Sequence, residues 1–171
     1  LEISVVISNL PNVLGIKKAK EKGLKTEIVN HINFNDRKLF EIELDSKIRL
    51  HNANFICNAG FMRILTPWFV KRWYNKQLNI HPSLLPAYPG LNTHERAITD
   101  GVKFAGCSVH YVRSELDSGP ILIQAIVPVN IKDTPETLAE KVLMAENKIY
   151  PQAIKWVAEG KVRIVNKKVE I

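Results

Sequence analysis

Asn79 and His81 are the two residues whose types and spacing point most directly to chemistry. They stand two positions apart at the end of an apolar segment, within the sequence LNIHPSLLPAYPG. Side chains at positions i and i+2 of a strand point to the same face, so an amide and an imidazole would face one spot. Such a pair suits the stabilisation of an oxyanion that develops during a reaction. A capping asparagine and a histidine at the core edge are the structural alternative, and these two residues alone do not decide.

Three prolines follow this pair, namely Pro82, Pro86 and Pro89. Pro82 cannot extend a hydrogen-bonded ladder, so the strand must end there. We expect the loop to be stiff and to form one wall of a pocket that keeps Asn79 and His81 aimed.

A carboxylate candidate, Asp117, lies in the polar turn ELDSGP. The turn follows a predicted strand that carries Ser108 and His110, again two positions apart. A carboxylate beside His81 would favour the protonated imidazole and keep an acid available near neutral pH. The alternative role of Asp117 is that of a turn former before Gly119. The sequence alone does not bring Asp117 to His81.

The elements that must position these residues alternate between strand and helix through the first hundred residues. Strands are predicted at residues 3–8, 25–29, 55–58, 77–80, 106–112, 120–129 and 162–165. Helices are predicted at residues 13–22, 37–50, 66–74, 93–100 and 133–149, with a further helix after position 151. This alternation indicates an α/β fold in which an open, mostly parallel, doubly wound sheet carries helices on both faces. In such sheets ligands bind beyond the carboxyl ends of the strands, which directs attention to the loops after Asn58 and Ile80 and around 114–119.

Local signals predict several helix ends. Thr66 before Pro67 is typical of an N-cap followed by proline at the first helical position. Thr93 is expected to cap the next helix. Pro151 is expected to break or kink the last long helix, because proline lacks the backbone N–H.

Composition indicates a soluble globular chain of one domain, spanning residues 1–171. Hydrophobic residues make up 46% and charged residues 24% of the sequence, which is the balance of such proteins. No apolar run approaches the roughly 18 residues of a membrane span. Cys57 and Cys107 lie in apolar stretches, and we expect both to be buried, reduced thiols of a cytoplasmic protein.

Other kinds of site find little support in the sequence. No His-Glu helix motif and no cysteine pair has the spacing of metal ligands, so no metal site is expected. The fingerprints of dinucleotide-binding and nucleoside-triphosphate-binding loops are missing as well. The formal net charge of +7 allows a nucleic-acid surface, but we expect the lysine clusters to form solvated faces instead.

Four segments together resemble one enzyme family. These are AGFMRIL at 59–65, NIHPSLLPAYPG at 79–90, GCSVHYV at 106–112 and ELDSGP at 115–120. In this order, and over nearly the whole chain, they resemble the phosphoribosylglycinamide formyltransferases, folate-dependent enzymes of purine biosynthesis.

The resemblance implies a reaction and a set of residues for it. The reaction is transfer of a formyl group from 10-formyltetrahydrofolate to the amine of glycinamide ribonucleotide, with small-molecule partners and no metal. The implied catalytic residues are Asn79, His81 and Asp117. Folate contacts are implied for Arg37, Met62, Arg63, Ile64, Leu65 and Asn79. Glu146 is implied to lie near the ribose of the nucleotide.

The sequence also departs from this family. The family begins with a strand and a glycine-containing loop that holds the substrate phosphate, and we expect this strand-loop-helix unit to be missing. Asn147 and Leu143 stand where the family usually has a histidine and where some members have a polar phosphate contact. A formyltetrahydrofolate hydrolase, a tRNA formyltransferase and a non-catalytic folate-binding remnant therefore stay open as alternatives. The oligomeric state is not predicted.

Overall fold

The structure is a computed structural model that describes all 171 residues. Its backbone contacts group the chain into two compact units, which are described separately. The first comprises residues 1–56 and 64–73, and the second comprises residues 57–63 and 74–171. The single domain expected from the sequence stays a prediction.

The first unit combines a short parallel sheet with three helices. Its elements are β1 (Val6–Ser8), α1 (Leu14–Glu21), β2 (Thr26–Ile28), a 3-10 turn (His31–Asn33), α2 (Arg37–Leu50) and α3 (Pro67–Arg72). Strands β1 and β2 pair in parallel, with Val6 opposite Thr26. Helix α2 begins as predicted, because the Asp36 carboxylate accepts a hydrogen bond from the Lys38 backbone N–H at 2.6 Å.

The second unit is built on a four-stranded sheet in the order β3-β4-β5-β6. The sheet's strands are β3 (Ile56–Asn58, whose first residue belongs to the first unit), β4 (Gln77–His81), β5 (Phe104–Tyr111) and β6 (Ile121–Pro128). Its helices are α4 (Thr93–Thr99) and α5 (Pro135–Ala158), and a terminal hairpin is formed by β7 (Arg163–Val165) and β8 (Lys168–Glu170). Helix α5 packs on β5 and β6 through a core that includes Cys107, Leu138 and Val142.

The α/β class predicted from the alternation of elements is confirmed. Parallel pairing joins β1 to β2, whereas β4 pairs antiparallel with β5 and β5 pairs antiparallel with β6. The connection of residues 112–120 between β5 and β6 is too short for the crossover that a parallel pair requires. It therefore forms a hairpin, and its turn carries Asp117.

Three local predictions are corrected by the structure. Pro151 does not break α5, which is continuous from Pro135 to Ala158, while a kink stays a prediction. Next to it, the Tyr150 hydroxyl donates a hydrogen bond to the Asn58 carbonyl at 2.7 Å, which helps to hold the helix in place. Thr93 is the first helical residue and not the cap, because Asn92 adopts the left-handed conformation that asparagine tolerates. Cys57 is exposed on the edge strand β3.

Candidate active site

The register between β4 and β5 gathers four polar side chains on one face of the sheet. Asn79 lies opposite His110, and His81 lies opposite Ser108. Residues that face each other across an antiparallel pair share a face, so these side chains are neighbours. His81 and His110 are 5% and 2% exposed, which removes both imidazoles from bulk water.

The β5–β6 turn brings the Asp117 carboxylate to both histidines. Asp117 Oδ2 lies 3.4 Å from His81 Nδ1, and Oδ1 lies 3.7 Å from His110 Nε2. The Gly90 backbone N–H donates to Oδ2 at 2.9 Å. The structure thus brings together the three residues singled out in the sequence, which the chain separates by up to 38 positions (117 − 79).

Gly119 explains why the turn can fold so closely against β5. A Cβ atom at this position would lie 1.6 Å from the Tyr111 carbonyl oxygen, so any other residue would push the turn away. Asp117 itself adopts a φ of +49°, in the left-handed region that non-glycine residues rarely occupy. Aspartate tolerates this conformation better than most residues do, so it can occupy this position of the turn.

The hydrogen bonds of His81 identify which ring nitrogen faces the site. Its Nε2 lies 2.9 Å from the Tyr88 carbonyl oxygen. A carbonyl can only accept, so Nε2 must carry the hydrogen. The ring nitrogen that faces Asp117 is therefore Nδ1.

His110 orients the amide of Asn79. Its Nδ1 donates to the Tyr111 carbonyl oxygen at 3.0 Å, and its Nε2 lies 3.3 Å from Asn79 Nδ2. Burial, with smaller effects of the His81 and Arg113 charges, lowers the pKa of His110, although the Tyr111 carbonyl and the Asp117 charge act to raise it. The ring is thus neutral at pH 7, and its Nε2 lone pair accepts from the Asn79 amide.

Sequence reasoning did not assign a role to His110. The signal was present in its spacing from Ser108, but only the antiparallel register shows that it faces Asn79.

The loop after β4 is fixed by side chains of β5 and β6. Ser108 Oγ donates to the Ser83 carbonyl at 2.7 Å and accepts from the Leu85 N–H at 3.0 Å. Gln124 Nε2 donates to Ser108 Oγ at 2.8 Å and to the Leu85 carbonyl at 3.0 Å. These bonds hold the loop whose Tyr88 carbonyl contacts His81.

The residues implied to bind folate lie in both units. Met62 and Arg63 belong to the second unit and follow β3, with Met62 75% exposed and Arg63 half-buried. In the first unit Ile64 is exposed and Leu65 is buried. Arg37 is exposed at the first position of α2.

Glu146 lies on α5 and makes no hydrogen bond or ion pair with Asn79, His81 or Asp117. It is half-buried, and burial raises its pKa. Burial, and to a smaller extent the nearby charge of Glu146, raises the pKa of the Cys107 thiol to about 12. Cys107 and its neighbour Ser108 point to opposite faces of the sheet, so the structure does not join Glu146 to the histidine cluster.

Two kinds of feature are absent from the structure. No group of three or more His, Cys, Asp or Glu side chains is arranged to hold a metal ion. No helix has both the length and the apolar character needed to cross a membrane.

Comparisons with known proteins agree on one family. The family model described as formyl transferase matches residues 1–154. Phosphoribosylglycinamide formyltransferase of Escherichia coli (strain K12) is 40% identical over 162 residues, which cover 95% of this chain and 76% of that protein. The structure of glycinamide ribonucleotide transformylase 1 from Symbiobacterium toebii has a TM-score of 0.95 and 39% identity, and the match covers 98% of this chain and 79% of that one.

A longer relative contains the matching region as a small part. The trifunctional purine biosynthetic protein adenosine-3 of Bos taurus is 45% identical over 162 residues, which are 95% of this chain. The match spans only 16% of the length of that protein.

Proposed function

The chain belongs to the formyl transferase family, and on this premise we propose that it transfers the formyl group of 10-formyltetrahydrofolate to the amine of glycinamide ribonucleotide. The observation that carries the proposal is the placement of the Asp117 carboxylate 3.4 Å from His81 Nδ1. The Asn79 amide, oriented by His110, lies on the same face of the sheet. Relatives named for this reaction at about 40% identity support the choice of substrates.

The proposed reaction begins with attack of the amine nitrogen on the formyl carbon. The carbonyl oxygen becomes an oxyanion, which accepts hydrogen bonds from the Asn79 amide and from protonated Nδ1 of His81. The amine gives up a proton to Asp117 through a water molecule. The bond between the formyl carbon and N10 then breaks, and N10 takes up a proton, which yields the formylated amine and tetrahydrofolate.

Each group has a separable contribution to this reaction. A preorganised donor to an oxyanion lowers the barrier by about 3 kcal/mol, or roughly a hundredfold in rate. Asp117 faces the ring nitrogen that supplies one of these donors, and its carboxylate is only 10% exposed, so its charge is weakly screened. The bond from His81 Nε2 to the Tyr88 carbonyl keeps Nδ1 turned toward the site.

Substrate binding is assigned by the same family likeness. Met62, Arg63, Ile64, Leu65 and Arg37 hold the folate in this proposal. Glu146 contacts the ribose of the nucleotide. Its raised pKa means that it loses its charge at a higher pH than an ordinary glutamate, so nucleotide affinity falls in mild acid.

The first test is the rate of tetrahydrofolate formation from 10-formyltetrahydrofolate, with and without glycinamide ribonucleotide. We expect a rate that depends on the nucleotide. His81→Ala should lose most of this rate while the dissociation constant of the folate changes less than about twofold, because the ring acts in the transition state.

Other outcomes would reject the proposal in different ways. A rate that is indifferent to the nucleotide would identify a hydrolase. A rate that requires initiator tRNA would identify a tRNA formyltransferase. Folate binding without any turnover would identify a folate-binding protein that has lost the reaction.

A further inference from the structure

Gln77 carries a buried hydrogen-bond acceptor that has no donor. The side chain lies at the start of β4 and is 2% exposed. Its Nε2 donates to Asn58 Oδ1 at 3.3 Å, whereas its Oε1 is buried without a hydrogen-bond partner. A buried acceptor left unpaired costs stability, so such groups are rare in native proteins and call for an explanation.

The position of Gln77 links this acceptor to the candidate active site. Gln77, Asn79 and His81 occupy alternate positions of β4, so their side chains lie on one face of the sheet. Asn58 is the last residue of the neighbouring strand β3. Met62, which begins the segment to which folate binding is assigned, follows four residues later in the chain (62 − 58). The Gln77 amide therefore lies on the same face of β4 as the proposed oxyanion donors, and its partner Asn58 lies shortly before Met62 in the chain.

The hydrogen bond to Asn58 leaves the oxygen of the Gln77 amide, and not its nitrogen, available to a ligand. Because Nε2 is engaged with Asn58 Oδ1, only the acceptor end of the Gln77 amide is left for another group. The opposite face of β4 shows what a purely structural position looks like, since Leu78 there is 0% exposed and apolar. An apolar side chain at position 77 would pack on a buried strand without leaving an acceptor unpaired.

We propose that Gln77, held by Asn58, reads the reduced pterin ring of the formyl donor by accepting a hydrogen bond from one of its N–H groups. The reduced ring carries several such donors, on its exocyclic amine and on its ring nitrogens. This inference rests on the proposed function. It makes Gln77 a specificity-determining residue for the donor substrate, and it gives Gln77 no part in the chemical step.

The test is to remove the acceptor without changing the length of the side chain. Gln77→Met should raise the dissociation constant of 10-formyltetrahydrofolate, measured by equilibrium dialysis, about tenfold, which corresponds to one hydrogen bond. The maximal rate and the KM for glycinamide ribonucleotide should change less than about twofold, because the ring contact is the same in the ground and transition states.

Two further variants separate ring recognition from a structural effect. Gln77→Glu keeps an acceptor and should bind the donor more tightly than Gln77→Met does. Gln152→Met makes the same chemical change at a half-buried position of α5 and should leave donor affinity unchanged. If Gln77→Met does not fold, Asn58→Leu answers the same question, since releasing the Gln77 amide should weaken donor binding severalfold.

Each outcome gives a definite answer. Unchanged donor affinity in Gln77→Met, or in Asn58→Leu if that variant must replace it, would overturn the inference and leave the acceptor to a buried water. Weakened donor binding in a chain that does not transfer the formyl group would support the subsite and reject the transferase. Formyl transfer with unchanged donor affinity would reject the subsite alone, and a chain that does not bind the donor would reject both.

Discussion

Two aspartates whose side chains are at most 10% exposed, one in each unit, show how a structural carboxylate differs from one available for chemistry. Asp45, in the first unit, accepts hydrogen bonds from Arg49 Nε, Arg72 Nη2 and Trp73 Nε1, each at 2.9 Å. Asp117, in the second unit, accepts one bond of this length, from the Gly90 N–H. Its two imidazole neighbours lie at the longer distances of 3.4 and 3.7 Å.

The difference lies in how much bonding capacity each carboxylate has left. Burial raises the pKa of Asp45, but the bonds from Arg49, Arg72 and Trp73 outweigh it, so the pKa lies below its usual value. Such a carboxylate is satisfied and stays ionised. Asp117 keeps lone pairs for a histidine proton and for a proton in transit, which is what an acid–base role requires.

Asp117→Asn should have the largest effect of any single change on this contrast. The amide keeps the shape of the side chain but cannot stabilise an imidazolium or accept a proton, so we expect kcat to fall by about a hundredfold or more. Steady-state rates with both substrates measure this, and thermal unfolding of the same sample should show nearly unchanged stability. A variant that keeps its kcat would show that Asp117 is a turn former only.

Asp45→Ala should lower the stability of the chain and leave formyl transfer intact, which is the opposite of what we expect for Asp117→Asn. Removing the carboxylate leaves the buried Trp73 N–H and two arginines without their partner, so we expect a loss of about 2 kcal/mol in the free energy of unfolding. The arginines are half-exposed, which keeps the loss below that of a fully buried ion pair. Formyl transfer per folded molecule should be retained.

The pH dependence of the free energy of unfolding tests the expected stabilisation by Asp45. The pKa of Asp45 is lowered in the folded state, so its stabilisation is complete above the unfolded value of about 3.9 and disappears as the pH falls through the folded value. The difference between the wild-type chain and Asp45→Ala in urea unfolding should therefore shrink below about pH 4. A constant difference across this range would mean that the bonds do not favour the ionised form.

The two aspartates also differ in how far the sequence could predict them. Asp117 could be singled out because it stands in a polar turn beside a glycine, near residues with i, i+2 spacing. Asp45 lies in the middle of a helix, where a charged residue normally faces water. Its i, i+4 spacing predicts the ion pair with Arg49, but nothing local predicts the bonds from Arg72 and Trp73.

The limits of prediction were physical in each case. Sequence patterns located seven of the eight strands to within a few residues and missed β8. Strand direction and register depend on the packing of distant segments, so the pairing of His110 with Asn79 could not be predicted. Pro151 was expected to break or kink α5, because the cost of proline is local, and the break does not occur. The bond from Tyr150 to Asn58, which helps to hold the helix, joins residues far apart in sequence.

His81→Asn and His81→Gln test which ring nitrogen acts. The amide nitrogen of asparagine lies near the place of Nδ1, and that of glutamine lies near the place of Nε2. Since Nε2 is bound to the Tyr88 carbonyl, we propose that Nδ1 is the acting nitrogen, and His81→Asn should then keep roughly tenfold more of the residual kcat than His81→Gln. The reverse order would assign the reaction to Nε2 and would require the Tyr88 loop to move away.

His110→Gln should have the smallest effect of these variants. We expect it to change how the free energy of unfolding depends on pH. Burial lowers the pKa of His110, so the folded chain keeps this ring neutral at pH values where the unfolded chain, with a pKa of about 6.5, takes up a proton. Stability is therefore lost as the pH falls below 6.5, by at most about 1.4 kcal/mol per pH unit for this one group. Urea unfolding at pH 7.5 and pH 5.5 should show a smaller loss in His110→Gln than in the wild-type chain. Comparing each protein with itself at two pH values cancels the packing change, so an equal loss in both would mean that His110 is protonated in the fold and cannot accept from Asn79.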